Sequence, residues 1–135
     1  MRAHPRREFL LCVLAACGTP LVSSANQATQ AEPRPDPNAL AAANYFGAGV
    51  DAARAIGEAY LRHLQVEPTR VAILEHSAGA LKVLAGARNQ KAALTELVSA
   101  VRRDFQEGSV VSLEGWVVSR TEAELCALTL LPATV

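Results

Sequence analysis

The sequence is short of cysteine and aromatic residues, and each shortage limits what the chain can be. Three cysteines occur in 135 residues, and Cys12 and Cys17 both lie near the N-terminus. Only Cys126 remains for the rest of the chain, so an internal disulfide is excluded there. Aromatic residues make up 4% of the chain, and Trp116 is its single tryptophan. We therefore expect one small domain with one modest core.

Excess charge of either sign is also missing. The chain carries 13 basic and 13 acidic residues, and from residue 26 onward the counts are 10 and 12, a net charge of −2. The one basic pair in that part, Arg102-Arg103, is followed directly by Asp104. A nucleic-acid interface needs a basic face. We expect no nucleic-acid partner.

Long apolar runs are absent as well. The longest run near the N-terminus, residues 10–16, is far shorter than the ~18 residues that span a bilayer, and Pro20 would break a longer helix. A short apolar run after a basic start is instead typical of an export signal.

The basic start carries a recognisable pattern. Arg6-Arg7-Glu8-Phe9-Leu10 resembles the twin-arginine export signal of bacteria, which a translocase for folded cargo reads. We assign the signal to Arg6, Arg7, Phe9 and Leu10, expect the twin-arginine translocase as a partner, and expect delivery to the periplasm. The general secretory route, which also accepts a basic region before an apolar run, stays open as the alternative.

A second signal overlaps the first. Leu14-Ala15-Ala16-Cys17 resembles a lipobox, whose cysteine is acylated and becomes the first residue of the mature protein. Lipid on Cys17 would then tether the protein to a membrane. The alternative is cleavage after Ala25 or Ala28, where small residues form sites of the expected kind. We assign residues 1–25 to the export signal, with cleavage before Cys17 if the protein is a lipoprotein.

The segment after the signal differs in composition from the rest of the chain. Residues 28–38 (ATQAEPRPDPN) contain three prolines, no aromatic residue and no apolar pattern. Such a segment is typical of an extended, solvated chain. We expect a flexible tether over residues 26–38 and a single helical domain over residues 39–135.

Apolar residues at three- and four-residue intervals predict four helices. They cover residues 41–64, 68–85, 89–108 and 120–131. Val71, Leu94 and Phe105 belong to the stripes that we expect to face the core. Asn89 is a suitable N-cap and Gly108 a suitable C-terminal cap. The fold class is therefore predicted to be mainly α, a small four-helix bundle-like domain.

The helical period changes before the last helix. Residues 110–113 and 116–118 are rich in β-branched residues, and Glu114-Gly115 supplies a turn. This pattern predicts a short β-ribbon or an extended arm packed on the helices. Ser119 and Glu122 then form a capping box that begins the last helix.

No catalytic, metal-binding or cofactor-binding constellation is recognisable. His63 and His76 lie on different predicted helices, and we expect both at the surface or at helix ends. Ser77 lacks the flanking pattern of a nucleophile elbow, and Gly47-Ala48-Gly49 lacks the spacing of a phosphate loop. Cys126 lies in a helical apolar context and is predicted to be a buried, inert thiol. We therefore assign no catalytic, metal or cofactor-binding residue.

The ribbon is the one segment that departs from plain helical composition. Two interpretations of Trp116 are open: it fills the core of the bundle, or it anchors a partner at an unpaired strand edge. In the second interpretation the partner contacts are Val111, Leu113, Trp116 and Val118.

With this leader and a small helical body, the chain resembles small helical proteins that bacteria export by the twin-arginine route, some of them lipoproteins. More loosely it is similar to the small accessory subunits of membrane-bound sugar or gluconate dehydrogenases. The residues that carry the resemblance are 6–11 and 14–17, and residues 115–122 (GWVVSRTE) resemble a recurring tail of such proteins.

The resemblance implies an accessory subunit that is exported together with a larger, cofactor-bearing oxidoreductase. The twin-arginine route suits cargo that folds or acquires a cofactor before export, yet this chain displays no cofactor motif of its own. The alternative is a stand-alone periplasmic helical protein that binds a small molecule between its helices, and an enzyme comes third.

Overall fold

The computed structural model describes residues 32–134, which form a mainly helical domain with a two-stranded antiparallel sheet before the last helix. The predicted fold class and the position of the β-ribbon are thereby confirmed. In chain order the elements are α1 (Pro37–Phe46), a 3-10 turn (Gly47–Gly49), α2 (Val50–His63), α3 (Arg70–His76), α4 (Ala78–Gly86), α5 (Gln90–Glu107), β1 (Val110–Leu113), β2 (Trp116–Ser119) and α6 (Arg120–Leu128).

The last helix, α6, lies at the centre of the core. It contacts each of the other helices and both strands, and all of its residues from Ala123 to Leu128 are buried. Small side chains such as Ala123 and Ala127 allow its neighbours to approach closely. The closest approach is at Gly57 of α2, where a Cβ would overlap the carbonyl oxygen of Cys126. The fold therefore depends on a glycine at this helix crossing.

The first predicted helix, residues 41–64, is wrong as a continuous element. The chain instead forms α1, the 3-10 turn and α2, and α1 begins earlier than predicted, at Pro37. Gly47 ends α1 with a φ of 54°, a backbone conformation that glycine adopts without steric cost, and its N–H donates to the carbonyl of Ala43. The conformational freedom of Gly47 therefore ends α1 within a run of apolar residues that otherwise has the spacing of one helix.

The second predicted helix, residues 68–85, is also interrupted. It begins after Thr69, whose hydroxyl accepts a hydrogen bond from the N–H of Ala72, and it breaks at Ser77 between α3 and α4. Ser77 is fully buried, and its hydroxyl donates to the carbonyl oxygen of Glu124 at 3.1 Å. The break between α3 and α4 thus lets Ser77 form a hydrogen bond to α6, which is distant in sequence.

The second half of the chain follows the local signals closely. Asn89 caps α5 by accepting from the N–H of Ala92, and Gly108 ends that helix in the left-handed conformation. The strands pair in one register, with Val111 opposite Val118, and both turn residues, Glu114 and Gly115, have positive φ. Such a turn suits the twist of paired strands.

The capping box of α6 is confirmed. Ser119 Oγ accepts from the N–H of Glu122 at 3.0 Å, and Glu122 Oε2 accepts from the N–H of Ser119 at 3.4 Å. The helix ends at Leu128, three residues earlier than predicted. There the buried hydroxyl of Thr129 donates to the carbonyl of Cys126 at 2.6 Å.

Residues 32–38, the described part of the predicted tether, are attached to the domain. Arg34 and Thr134 exchange backbone hydrogen bonds of 2.9 and 2.8 Å. Asp36 is fully buried, caps α1 through Asn38, and lies 2.6 Å from the guanidinium of Arg70. Burial alone would raise the pKa of Asp36, but Arg70 and nearby backbone N–H groups lower it overall. The domain therefore begins earlier than residue 39.

Part of the predicted apolar stripes faces solvent. The side chain of Val71 is 73% exposed, and Leu94 and Phe105 are about half exposed. Leu97 and Ala100 are instead the residues by which α5 enters the core. The predicted stripes are wider than the faces that these helices bury, which consist of Ile73 on α3 and of Leu97 and Ala100 on α5. The predicted orientation of Val71, Leu94 and Phe105 is wrong for this reason.

Candidate functional site

The ribbon presents an exposed aromatic residue. The side chain of Trp116 is 75% exposed, and its neighbour Val117 is 59% exposed. Val110 on the opposite strand is also exposed. The interpretation of Trp116 as a filler of the core is therefore wrong. Alternation along the strands places Val110 and Val117 on one face of the ribbon and Trp116, which pairs with Leu113, on the other. We refer to these three exposed residues together as the hairpin surface.

The other predicted contact residues share the ribbon face of Trp116 and pack toward the core. Leu113 is 4% exposed and belongs to the hydrophobic core. Val111 and Val118 are partly buried and pack against that core. Sequence reasoning missed Val117, although the period of two in a strand, together with a two-residue turn, places it opposite Ser112 and away from Val118. Of the four predicted contacts, Trp116 alone is highly exposed.

Several contacts attach the hairpin to the helices. Arg62 at the end of α2 donates to Glu114 in the turn at 2.9 Å, and it lies 4.0 Å from Glu58. At the other end, the N–H of Arg120 donates to the carbonyl of Ser109 at 3.0 Å. An exposed ion pair adds little stability, so the hairpin is held mainly by Leu113, Val111 and Val118, which pack in or against the core. The exposed tryptophan is thereby presented from a fixed position.

An apolar groove of about 540 Å³ lies between α1, α4 and α5. Leu81, Leu84 and Leu97 form its floor, and the half-exposed Leu40 and Leu94 lie at its mouth. Asn44, Asn89 and Gln90 supply a few polar groups among these apolar side chains. A mostly apolar concavity with a few polar groups is the usual composition of a small-molecule site.

A second cavity, of about 460 Å³, lies between α2, α3, α4, α5 and α6 and is lined largely by ionisable groups. We call it the polar cavity. Its polar side chains are those of Tyr60, Glu75, His76, Arg103, Asp104, Arg120, Thr121 and Glu124.

Glu124 is the buried centre of this arrangement, with 5% of its surface exposed. Its Oε2 accepts a hydrogen bond of 2.7 Å from the N–H of Ala80, in the first turn of α4, and its Oε1 lies 3.4 Å from Arg120 Nε. Burial raises the pKa of Glu124, while Ala80 and Arg120 oppose that rise. A Cβ on Gly79 would stand 2.7 Å from Oε2, so a larger residue there would require the carboxylate of Glu124 to shift.

Sequence reasoning found no pairing of carboxylates and missed this site. Asp104 Oδ2 accepts from the N–H of Thr121 at 2.7 Å, at the start of α6. Asp104 and Glu124 thus face the same cavity from different helices. Burial raises the pKa of the nearby Tyr60, and the carboxylate of Glu124 adds to that rise. No sequence spacing signals these contacts, since they depend on how α4, α5 and α6 pack.

The histidines and the cysteine lie where the sequence predicts. His63 is exposed in the last turn of α2, and His76 lies at the end of α3, at the wall of the polar cavity. Cys126 is buried in α6, and burial raises the pKa of its thiol to about 12. A thiol with that pKa is a poor nucleophile at neutral pH.

Two further observations concern residues 32–134 as a whole. Within them, no group of three or more His, Cys, Asp and Glu side chains could hold a metal ion. None of their helices combines the length and the apolar character needed to cross a membrane. The predicted signal residues Arg6, Arg7, Phe9, Leu10 and Cys17 lie outside the part of the chain that the structure describes.

Comparison with known proteins adds no relative: no family model, no curated protein and no solved structure matches the chain.

Proposed function

We propose that the protein is an exported accessory subunit that binds a larger protein partner through the hairpin surface. The observation that carries this proposal is the exposure of Trp116, the only tryptophan of the chain, on a hairpin that is fixed to the helices at both ends. Tryptophan is the residue type most enriched among interface anchors. Solvent exposure of so large an apolar side chain is best explained by a protein that covers it.

The fixed position of the hairpin supports this role energetically. Binding costs free energy when loops and side chains must be ordered at an interface. Here the backbone pairing of β1 with β2 and the packing of Leu113 in the core already order the segment. Ordering the backbone around Trp116 would therefore cost a partner little.

The N-terminal pattern supports the location. A twin-arginine signal at Arg6-Arg7 would send folded cargo to the periplasm. Export together with a larger, cofactor-bearing partner explains that route for a chain without a cofactor motif, and the resemblance to dehydrogenase accessory subunits favours an oxidoreductase. A lipid on Cys17 would hold the complex at the membrane, since the several acyl chains of a lipoprotein anchor firmly. Intact mass of the exported protein distinguishes a start at Cys17 from cleavage after Ala25 or Ala28.

Photo-cross-linking tests the proposal. A photoreactive amino acid is placed at Trp116 in one variant and at Val71, which is equally exposed on α3, in a matched control. We expect one discrete adduct from position 116 in periplasmic extract, containing one larger protein, and no such adduct from position 71. The same adducts from both positions, or none from position 116, would contradict the proposal.

The apolar groove favours a second function, the binding of a small apolar molecule between the helices. Its volume and its leucine-rich lining suit such a ligand. Titration with an apolar fluorescent probe tests this function, with Leu84→Gln as the variant expected to abolish binding. Unchanged probe binding by that variant would show that the groove is not the site.

A further inference from the structure

In the polar cavity, hydrogen-bond acceptors are engaged by the protein, whereas several donors are free to bind a ligand. It lies where the first turns of α4 and α6 meet α2 and α5, and the proposed docking of a partner does not involve it. Two of its three carboxylates are engaged and the third lies at the rim: Glu124 is bound by Ala80 and Arg120, Asp104 accepts from the N–H of Thr121, and Glu75 is exposed. A ligand would therefore meet few acceptors in the interior of this cavity.

The hydrogen-bond donors of the cavity, in contrast, are not all used by the protein. Among residues 32–134, no carboxylate lies within ion-pair distance of Arg103. Arg120 meets Glu124 through its Nε and also interacts with the hydroxyl of Tyr60, and the rest of its five-donor guanidinium group remains for another acceptor. His76 adds a ring nitrogen at the same wall. Spare guanidinium groups at one cavity are suited to an anion with paired oxygen atoms.

The apolar walls of the cavity indicate that the anionic group belongs to an organic molecule. Leu64, Val83 and Ala100 line the cavity together with the polar groups. An inorganic anion would leave these apolar walls in contact with water, whereas a carbon skeleton would cover them. The volume of about 460 Å³ admits a small organic molecule.

We propose that the polar cavity binds a small organic carboxylate, whose oxygens are received by the guanidinium groups of Arg103 and Arg120. Glu124 is a positioning residue in this site, because its contact with Arg120 Nε directs the guanidinium and its contact with Ala80 fixes the carboxylate itself. Glu75 at the rim and Asp104 in the wall disfavour ligands with a second negative charge, so a monocarboxylate is favoured.

Titration calorimetry on the purified full chain tests the site with three probes at constant ionic strength: butanoate, benzoate and inorganic phosphate. The matched pair of variants is Arg103→Gln and Arg102→Gln, because these neighbours are both exposed and Arg103 alone lines the cavity. We expect at least one carboxylate to bind, Arg103→Gln to weaken it about tenfold or more, and Arg102→Gln to leave it unchanged.

A third variant, Arg120→Lys, keeps the charge but removes the planar fork, and we expect it to weaken carboxylate binding as well. Circular dichroism of each variant verifies that it is folded. Equal weakening by Arg102→Gln, binding of phosphate alone, or no binding of either carboxylate by the folded wild type would overturn the proposal. These outcomes do not bear on the hairpin surface, so failure here and failure of the proposed docking are distinguishable.

Discussion

Gly57 of α2 lies directly against the carbonyl group of Cys126 in α6, so that a Cβ on Gly57 would stand 2.6 Å from the carbonyl carbon. The obstacle is backbone, which cannot turn aside as a flexible side chain would. This pair of residues sets the distance between the central helix and the helix that contacts it most.

Gly57→Ala should therefore destabilise the fold, although alanine is the better helix former. We expect a loss of about 1–3 kcal/mol in the free energy of unfolding, because α2 and α6 must move apart. Gly86→Ala is the matched control, since a Cβ there meets no atom within 4 Å, and it should be neutral or stabilising by up to about 1 kcal/mol. Urea denaturation of both variants checks this. Equal effects of the two substitutions would refute the close crossing of α2 and α6.

Glu124 predicts a pH dependence of stability. Because burial raises its folded-state pKa above the ordinary value of 4.5, the folded state holds this proton more tightly than the unfolded state. Its contribution to the free energy of unfolding is fully present below pH 4.5 and is lost as the pH rises through the folded pKa. Glu124→Gln should lack that contribution, so the stability of the wild type relative to this variant should fall with rising pH.

Denaturation at a series of pH values from about 4 to about 8 measures this difference. Glu124→Ala is the companion variant, since it leaves the N–H of Ala80 without its buried partner and should cost about 1–3 kcal/mol at every pH. If the wild type instead gained stability over Glu124→Gln with rising pH, the folded-state pKa would be lowered and our assignment wrong.

Cys126 should be inert in the folded protein. Its thiol is buried and has a pKa of about 12, so the thiolate that reacts with alkylating agents is scarce. We expect iodoacetamide to leave the peptide that carries Cys126 unmodified in buffer and to modify it in denaturant, as mass spectrometry of that peptide can show. Rapid labelling without denaturant would mean that α6 is accessible.

Export should require Arg6-Arg7. Changing both to lysine keeps the charge but removes the pattern that the translocase reads, so the protein should remain in the cytoplasm. The matched control is the same change at Arg102-Arg103, which lies in α5 and should not affect export. Immunoblots of periplasmic and cytoplasmic fractions measure the outcome. Normal delivery of the Arg6-Arg7 variant would favour the general secretory route.

The elements that the sequence predicts well are those determined by neighbouring residues. Asn89 and Gly108 delimit α5, Glu114-Gly115 turns the hairpin, and Ser119 with Glu122 begins α6. Each depends on hydrogen bonds or backbone angles within a few residues, so the sequence alone suffices.

The features that sequence reasoning misses depend on packing between distant segments. The break at Ser77 serves a hydrogen bond to Glu124, 47 residues away, and Ala80 meets the same residue across 44 residues. Asp36 joins the domain through Arg70, which no local pattern signals. The polar cavity consists of such contacts, and it could not be predicted before the helices were placed.

The affinity of the partner for the Trp116→Ala variant tests the central claim most directly. Once cross-linking has identified the partner, its dissociation constant for wild type, Trp116→Ala and the exposed control Val71→Ala is measured with purified proteins. We predict about 30-fold weaker binding by Trp116→Ala, equivalent to about 2 kcal/mol, with stability changed by no more than about 0.5 kcal/mol and Val71→Ala unchanged. Unchanged affinity of a folded Trp116→Ala variant would contradict the account.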